Sequence, residues 1–186
     1  MLGFLDDDPA LWGRELAGGL SVLGPIESAT SYPDAGLLIC AGKGASRRGI
    51  LDRLTSLGVP PDGYATLLHP GVEVPRGCSI GDGSILLAGV VLTADVTVGR
   101  HVVGMPSVVL THDCVVADFA TVCAGVVLGG RVRVGGGAYV GMAASVRESV
   151  VLGEECVVGM GSVVLRDVPA GETWAGNPAR RLSIRP

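Results

Sequence analysis

His112 and Asp113 stand side by side, two residues after Leu110, which belongs to a long series of evenly spaced aliphatic positions. That spacing predicts an imidazole projecting from the surface rather than into the core. Imidazoles titrate near neutrality and can take a proton from an incoming nucleophile, an effect worth roughly 10²–10⁴ in rate. An acid beside the ring can orient and polarise it; the other reading is an ordinary surface histidine. A second candidate lies earlier, where a predicted strand, Gly36–Ala41, leads through Gly42-Lys43-Gly44-Ala45-Ser46 into a predicted helix over 46–57. Such a turn can cradle phosphate on backbone N–H groups at a helix start, with Lys43, Arg47 and Arg48 adding charge, or it is a plain strand-to-helix turn. Asp6 and Asp7, after the predicted strand Leu2–Leu5, fit either a nucleoside hydroxyl or a capped, solvated loop.

Metal chemistry finds little support. The five cysteines form no CxxC pair, so neither a zinc site nor a disulfide framework is expected. Cys78, Cys114 and Cys156 each fall two before an aliphatic anchor and should pack inward; Cys40, ending an apolar run, reads the same way. Cys123, near a corner, is the one thiol that could line a site. His69, before Pro70, is expected to pack at a junction, and His101 falls at an outward loop position. Residues eighteen apart should stack, and His112 has Ala94 and Gly130 at those positions, so no two histidines stack. No metal is expected.

The element that must position His112 is a repeat. Ile80, Leu86, Leu92, Val98, Gly104, Leu110, Val116, Val122, Leu128, Val134, Val140, Val146, Leu152, Val158 and Val164 stand six apart, and only Gly104 is not aliphatic. Two residues before each comes a small or β-branched residue such as Val90, Val96, Ala120, Val132, Ala144 or Ser162. Glycine often follows the anchor, as at Gly81, Gly99, Gly129, Gly135, Gly141, Gly153 and Gly159. A period of six suits neither a helix nor a flat strand. It suits a parallel β-solenoid, three hexads to a coil, with about five coils stacked to roughly 24 Å. The interior of so thin a prism has no room for rings, in keeping with 4% aromatic residues. Residues 1–70 lack the period and read as small α/β units, so the expected division is 1–70 and 71–186, with the solenoid register starting at Val74.

Composition sets further bounds. A net charge of −4 without any basic block argues against nucleic-acid binding. No run of some eighteen apolar residues and no signal peptide is seen, so neither a membrane role nor export is expected, and the location expected is cytoplasmic.

The chain resembles the NeuD/PglD group of sugar O- and N-acetyltransferases, within the hexapeptide-repeat acyltransferases. The resemblance rests on Gly3-Phe4-Leu5-Asp6-Asp7, Ala41-Gly42…Arg47, Leu67-Leu68-His69-Pro70, Thr111-His112-Asp113-Cys114 and Val168-Pro169-Ala170-Gly171…Gly176-Asn177-Pro178-Ala179-Arg180. It implies a left-handed parallel β-helix preceded by a small, truncated Rossmann-like domain. The family's first strand and its glycine-rich loop have no counterpart before Gly3. It implies a homotrimer with active sites between neighbouring prisms and acetyl-CoA along the groove. The acceptor would be a nucleotide-linked amino sugar or a sialic acid, acetylated on nitrogen or oxygen. By the same resemblance His112 is the general base and Asp113 orients it, while a backbone N–H near Gly130 holds the oxyanion. Gly130, Gly141, Met142, Gly159, Gly161 and Arg180 would line the coenzyme A groove; for the glycines, corner geometry is the other reading. Asp6, Asp7, Lys43 and Arg47 would face the acceptor. Met105-Pro106 stands where the family carries Asn-Thr, putting Met105 against the acceptor. Transfer would be direct, since no nucleophile is evident. The rival expectation is a β-helix relative that only binds coenzyme A or a sugar, or that acylates another small molecule.

Overall fold

A computed structural model describes residues 1–183; residues 184–186, the end of the expected second domain, lie outside it. Two-residue strands recur every six residues and stack into three parallel sheets. Face I holds Leu67–Leu68, Ile85–Leu86, Val103–Gly104, Thr121–Val122, Tyr139–Val140 and Val157–Val158, then Thr173–Gly176 with Ala179–Arg181 antiparallel beside it. Face II holds Val91–Leu92, Val109–Leu110, Val127–Leu128, Ser145–Val146 and Val163–Val164. Face III holds Ser79–Ile80, Thr97–Val98, Val115–Val116, Arg133–Val134 and Val151–Leu152. Partners such as Val109 and Val127 are eighteen apart, so one turn is three hexads. The fold is thus a mainly β parallel solenoid of about six turns once the end strands are counted.

The anchors and the residues two before them make one continuous core from Leu86 to Val168. Each buried Val or Leu there is worth about 1.5–3 kcal/mol. Buried hydroxyls in the small slot are satisfied: Ser84 Oγ donates to Gly99 O and accepts from Val102 N. Gly104 has a packing reason, because a Cβ there would lie 2.8 Å from Leu86 Cδ2. Leu86, one coil below, fills the volume that an aliphatic anchor would take.

Each corner is turned by a residue at fixed phase in the left-handed region. Asp95, His101, Ser107, Asp113, Phe119, Arg131, Ala143, Ser149 and Glu155 all have φ between 52° and 63°. Only glycine enters that region freely, so each such corner carries a local strain that the stacked coils hold in place.

Residues 1–66 form a second, smaller core around Ala29, Ile39, Leu54 and Tyr64. The expected helix forms two residues earlier than anticipated, as α1, Gly44–Ser56. The expected strands near residues 2–5 and 36–41 are reduced to parallel bridges, Phe4 with Val22 and Leu37 with Tyr64. Leu67–Leu68 pairs with Ile85–Leu86 and so extends the solenoid instead. No helix among the described residues is long and apolar enough to cross a membrane.

Candidate functional site

The three edges of the prism differ in what they carry. Between faces II and III lie His112, Asp113 and, one coil on, Gly130. Between faces I and II lie Met142 and Gly161, with Gly141 and Gly159 just before the corner. The edge between faces III and I, carrying His101, Phe119 and Gly137, is where α1 docks.

His112 projects from its corner as its phase predicts, and is about half exposed. Its Nδ1 lies 2.7 Å from Asp113 Oδ2. A carboxylate accepts there, so Nδ1 carries the proton and Nε2 keeps its lone pair for chemistry. The left-handed backbone of Asp113, φ 61°, turns its carboxylate back toward the ring. Beneath the imidazole, a Cβ on Gly130 would collide with Nε2 and Cε1, so only glycine lets the ring lie over this corner. The Gly130 N–H has no hydrogen-bond partner among the described residues, although its carbonyl accepts from Ser149 N. A free donor beside Nε2 is what an oxyanion requires.

Gly141 and Gly159 have a structural reason to be glycine. A Cβ on Gly141 would come 2.7 Å from Met160 N, and one on Gly159 would come 2.7 Å from Ala175 Cβ. Gly161 differs, with φ 65° and open space around it. Met142 and Met160, one above the other, are exposed on this edge, and Arg180 is exposed on the antiparallel end strand of face I.

Two of the expected acceptor residues, Arg47 and Asp7, are committed to internal contacts. Arg47 overturns its expectation of a free cation: it is fully buried, its donors taken by the turn before its own helix and by the solenoid edge. Nε donates to His101 O at 2.9 Å, and the terminal nitrogens donate to Ala41, Gly42, Phe119 and Ala120 carbonyls and to Thr121 Oγ1. Burial lowers its pKa to about 10, still high enough for a charged guanidinium at neutral pH. Asp7 is likewise committed, paired with Arg53 at 2.6 Å and accepting from Ile26 N at 3.1 Å, and its pKa is lowered first by the Arg53 hydrogen bond. Asp6 accepts from Asp8 N, while Lys43 at the start of α1 is exposed and Met105 half-buried.

Other positions also need correction. His101 is fully buried rather than outward, because α1 and Tyr64 cover its corner. His69 is exposed rather than packed, its Nδ1 accepting from Gly71 N at 3.1 Å. Cys40 is exposed, whereas Cys123 is buried and lines no open site; Cys78 is half-buried, and Cys114 and Cys156 are buried as their slots predict. Among the described residues no three His, Cys, Asp or Glu side chains converge as metal ligands.

No protein-family model matches the chain. The acetyltransferase domain of PglB from Neisseria gonorrhoeae FA1090, solved with acetyl coenzyme A, superposes with a TM-score of 0.86 at 29% identity, over 97% of this chain and 85% of that one. A histidine-to-asparagine variant of perosamine N-acetyltransferase from Caulobacter crescentus, solved with CoA and GDP-perosamine, gives 0.87 at 25% identity, over 98% and 85%. GDP-perosamine N-acetyltransferase of Escherichia coli O157:H7 is 31% identical over 145 residues, 75% of this chain and 64% of that protein. Along most of its length the chain is thus similar, in sequence and in fold, to sugar N-acetyltransferases and other acetyltransferases built on hexapeptide repeats. The chain is also similar, at 26% identity over 63% of its length, to serine acetyltransferase 2 of Arabidopsis thaliana, of which it spans only 32%. Sequence reasoning missed that Arg47 and His101 lie where α1 docks, since neither the repeat nor a motif marks an edge that another unit will cover.

Proposed function

We propose that this protein is an enzyme that transfers an acetyl group from acetyl-CoA to an amino group of a sugar. It would do so as a homotrimer of left-handed solenoids with its active sites between neighbouring prisms. The observation that carries this reading is the His112 Nδ1–Asp113 pair over the bare Gly130 corner, with an unpaired N–H beside the ring. Structures of relatives solved with acetyl coenzyme A, or with CoA and GDP-perosamine, support the same donor and acceptor class.

The placement of the edges supports such an assembly. The histidine edge and the Met142–Gly161 edge flank the same face II, whose outward row is Val91, Val109, Val127, Ser145 and Val163. Packing that face around a three-fold axis sets the histidine edge of one prism against the glycine edge of the next. Gly141, Met142, Gly159, Gly161 and Arg180 then lie along the coenzyme A arm, and His112 meets the thioester from across the interface. The acceptor amine attacks the thioester carbonyl carbon while His112 Nε2 takes its proton. The Gly130 N–H holds the oxyanion, a donor worth roughly 2.7–4 kcal/mol. Collapse breaks the C–S bond, and the imidazolium returns the proton to the leaving thiolate.

The N-terminal unit, residues 1–70, is read as a partial nucleotide-binding-like domain ahead of the solenoid domain, residues 71–186. Its parallel bridges and the glycine turn before α1 support that, with Asp6, Lys43 and Met105 left to meet the acceptor. Five free thiols suit a reducing compartment such as the cytoplasm. A second reading, acylation of a different small acceptor, is favoured by the commitment of Asp7 and Arg47 to internal contacts.

The test is acetyl transfer followed by mass spectrometry. It uses acetyl-CoA and a panel of nucleotide-linked amino sugars, sialic acids and unrelated amines, with wild type and His112→Ala. Product on a nucleotide amino sugar that falls at least about 10²-fold in the variant supports the reading. Product only on unrelated acceptors selects the second reading, and equal rates in both proteins overturn the role of His112.

A further inference from the structure

Arg47 and His101 together form the joint between the N-terminal unit and the solenoid. The Arg47 guanidinium crosses from α1 to the docked edge and reaches the carbonyls of His101, Phe119 and Ala120. The His101 ring is fully buried, and neither of its nitrogens has a hydrogen-bond partner among the described residues. It stacks on Phe119, with centroids 5.3 Å apart and planes 8° apart, and meets Tyr64 edge-on at 5.1 Å. Below it, a Cβ on Gly83 would collide with the imidazole, so the ring has no room to swing toward that coil. On the outer side Arg48 lies over the Phe119 ring at 5.0 Å and pairs with Glu155 at 3.0 Å.

We infer that Arg47 is a positioning residue that sets the N-terminal unit against the solenoid, and that protonation of His101 releases this hold. The release bears on acceptor binding, a consequence that rests on the proposed function above. Neither ring nitrogen has an acceptor within hydrogen-bond reach among the described residues, so a second ring proton would be buried unpaired. The charged groups nearby are Arg47 from α1 and Asp82, Arg100 and Asp118 from the corners. Burial first, then Arg100, hold the His101 pKa below its ordinary value, with Asp118 and Asp82 opposing. Below pH ~6.5 the undocked ring takes a proton that the docked joint excludes. The docking is therefore complete above that pH and weakens as pH falls.

Hydrogen–deuterium exchange of the full chain between about pH 7.5 and 5.5, with labelling times scaled for intrinsic exchange, reads the joint without any activity. The expected result is protection of α1 lost toward low pH while the solenoid strands stay protected, and no such loss in His101→Phe. Protection of α1 independent of pH in wild type overturns the inference. Imidazole NMR of wild type guards against a misfolded variant: His101 titrating near 6.5 with α1 still protected is equally fatal. Arg47→Met should expose α1 at every pH and raise acceptor KM about tenfold, with kcat within about twofold at saturating acceptor. A loss in kcat alone would make Arg47 something other than a positioning residue. If the exchange result holds and no acetyl transfer is seen, the joint stands and the proposed activity falls.

Discussion

His112 depends on two neighbours that act in different ways. Asp113 holds the Nδ1 proton through a hydrogen bond, and Gly130 holds the ring's place by having no side chain. Replacing Asp113 with Asn should leave the ring in position but disturb the tautomer, so the acetylation rate should drop while the KM for acetyl-CoA stays close to wild type. Gly130→Ala displaces the ring itself, and a misplacement of about 1 Å can cost roughly 10²-fold in rate. The Ala variant should therefore lose at least that much, with the circular dichroism spectrum unchanged. At this scale the sequence is informative wherever the repeat sets the direction of a side chain. Phase alone put His112 outside and Cys114, its neighbour two on, inside. It misplaced His101 because phase says which residues face outward from a coil, and nothing about what later covers them. Arg47 misled for a related reason: a cation after a glycine turn looks the same in sequence whether it meets a phosphate or five backbone carbonyls.

The hexad as an element was legible in nearly every detail, since a two-residue strand with a fixed inward pair leaves a pattern no other fold produces. The corners were less legible. The left-handed position is filled by Asp, His, Ser, Phe, Arg, Ala and Glu as well as glycine, so no residue type announces it. That yields a stability prediction. Ala143, φ 57°, carries a left-handed cost of about 1–2 kcal/mol that glycine avoids, offset by about 0.5–1 kcal/mol of added freedom in the unfolded chain. Ala143→Gly should leave stability unchanged or raise it by up to about 1.5 kcal/mol in urea unfolding, whereas an alanine at most helix or strand positions would lose stability on the same change. The N-terminal strands were overcalled because short apolar runs beside glycine and proline suit a bridge as well as a sheet.

At the scale of the whole molecule, the proposed trimer leaves a lone prism with only half of a site. Val127 lies on the outward row of face II and is well exposed in the isolated chain. Val127→Arg should shift sedimentation from trimer toward monomer and abolish acetyl transfer, while the spectrum of the β-solenoid stays the same. A monomer with full activity would separate the site from the assembly. The solenoid also faces a difficulty peculiar to repeats, since coils that look alike can pair one turn out of place. Leu86 beneath Gly104 marks a single position along the stack. Were the chain to skip a coil while folding, Leu86 would press against Val122, an anchor with a full side chain, and the overfilled core would cost about 1–3 kcal/mol. One missing side chain thus works as a key that lets only the correct neighbour close over it, and Gly104→Val should yield a protein that misfolds more readily on dilution from denaturant.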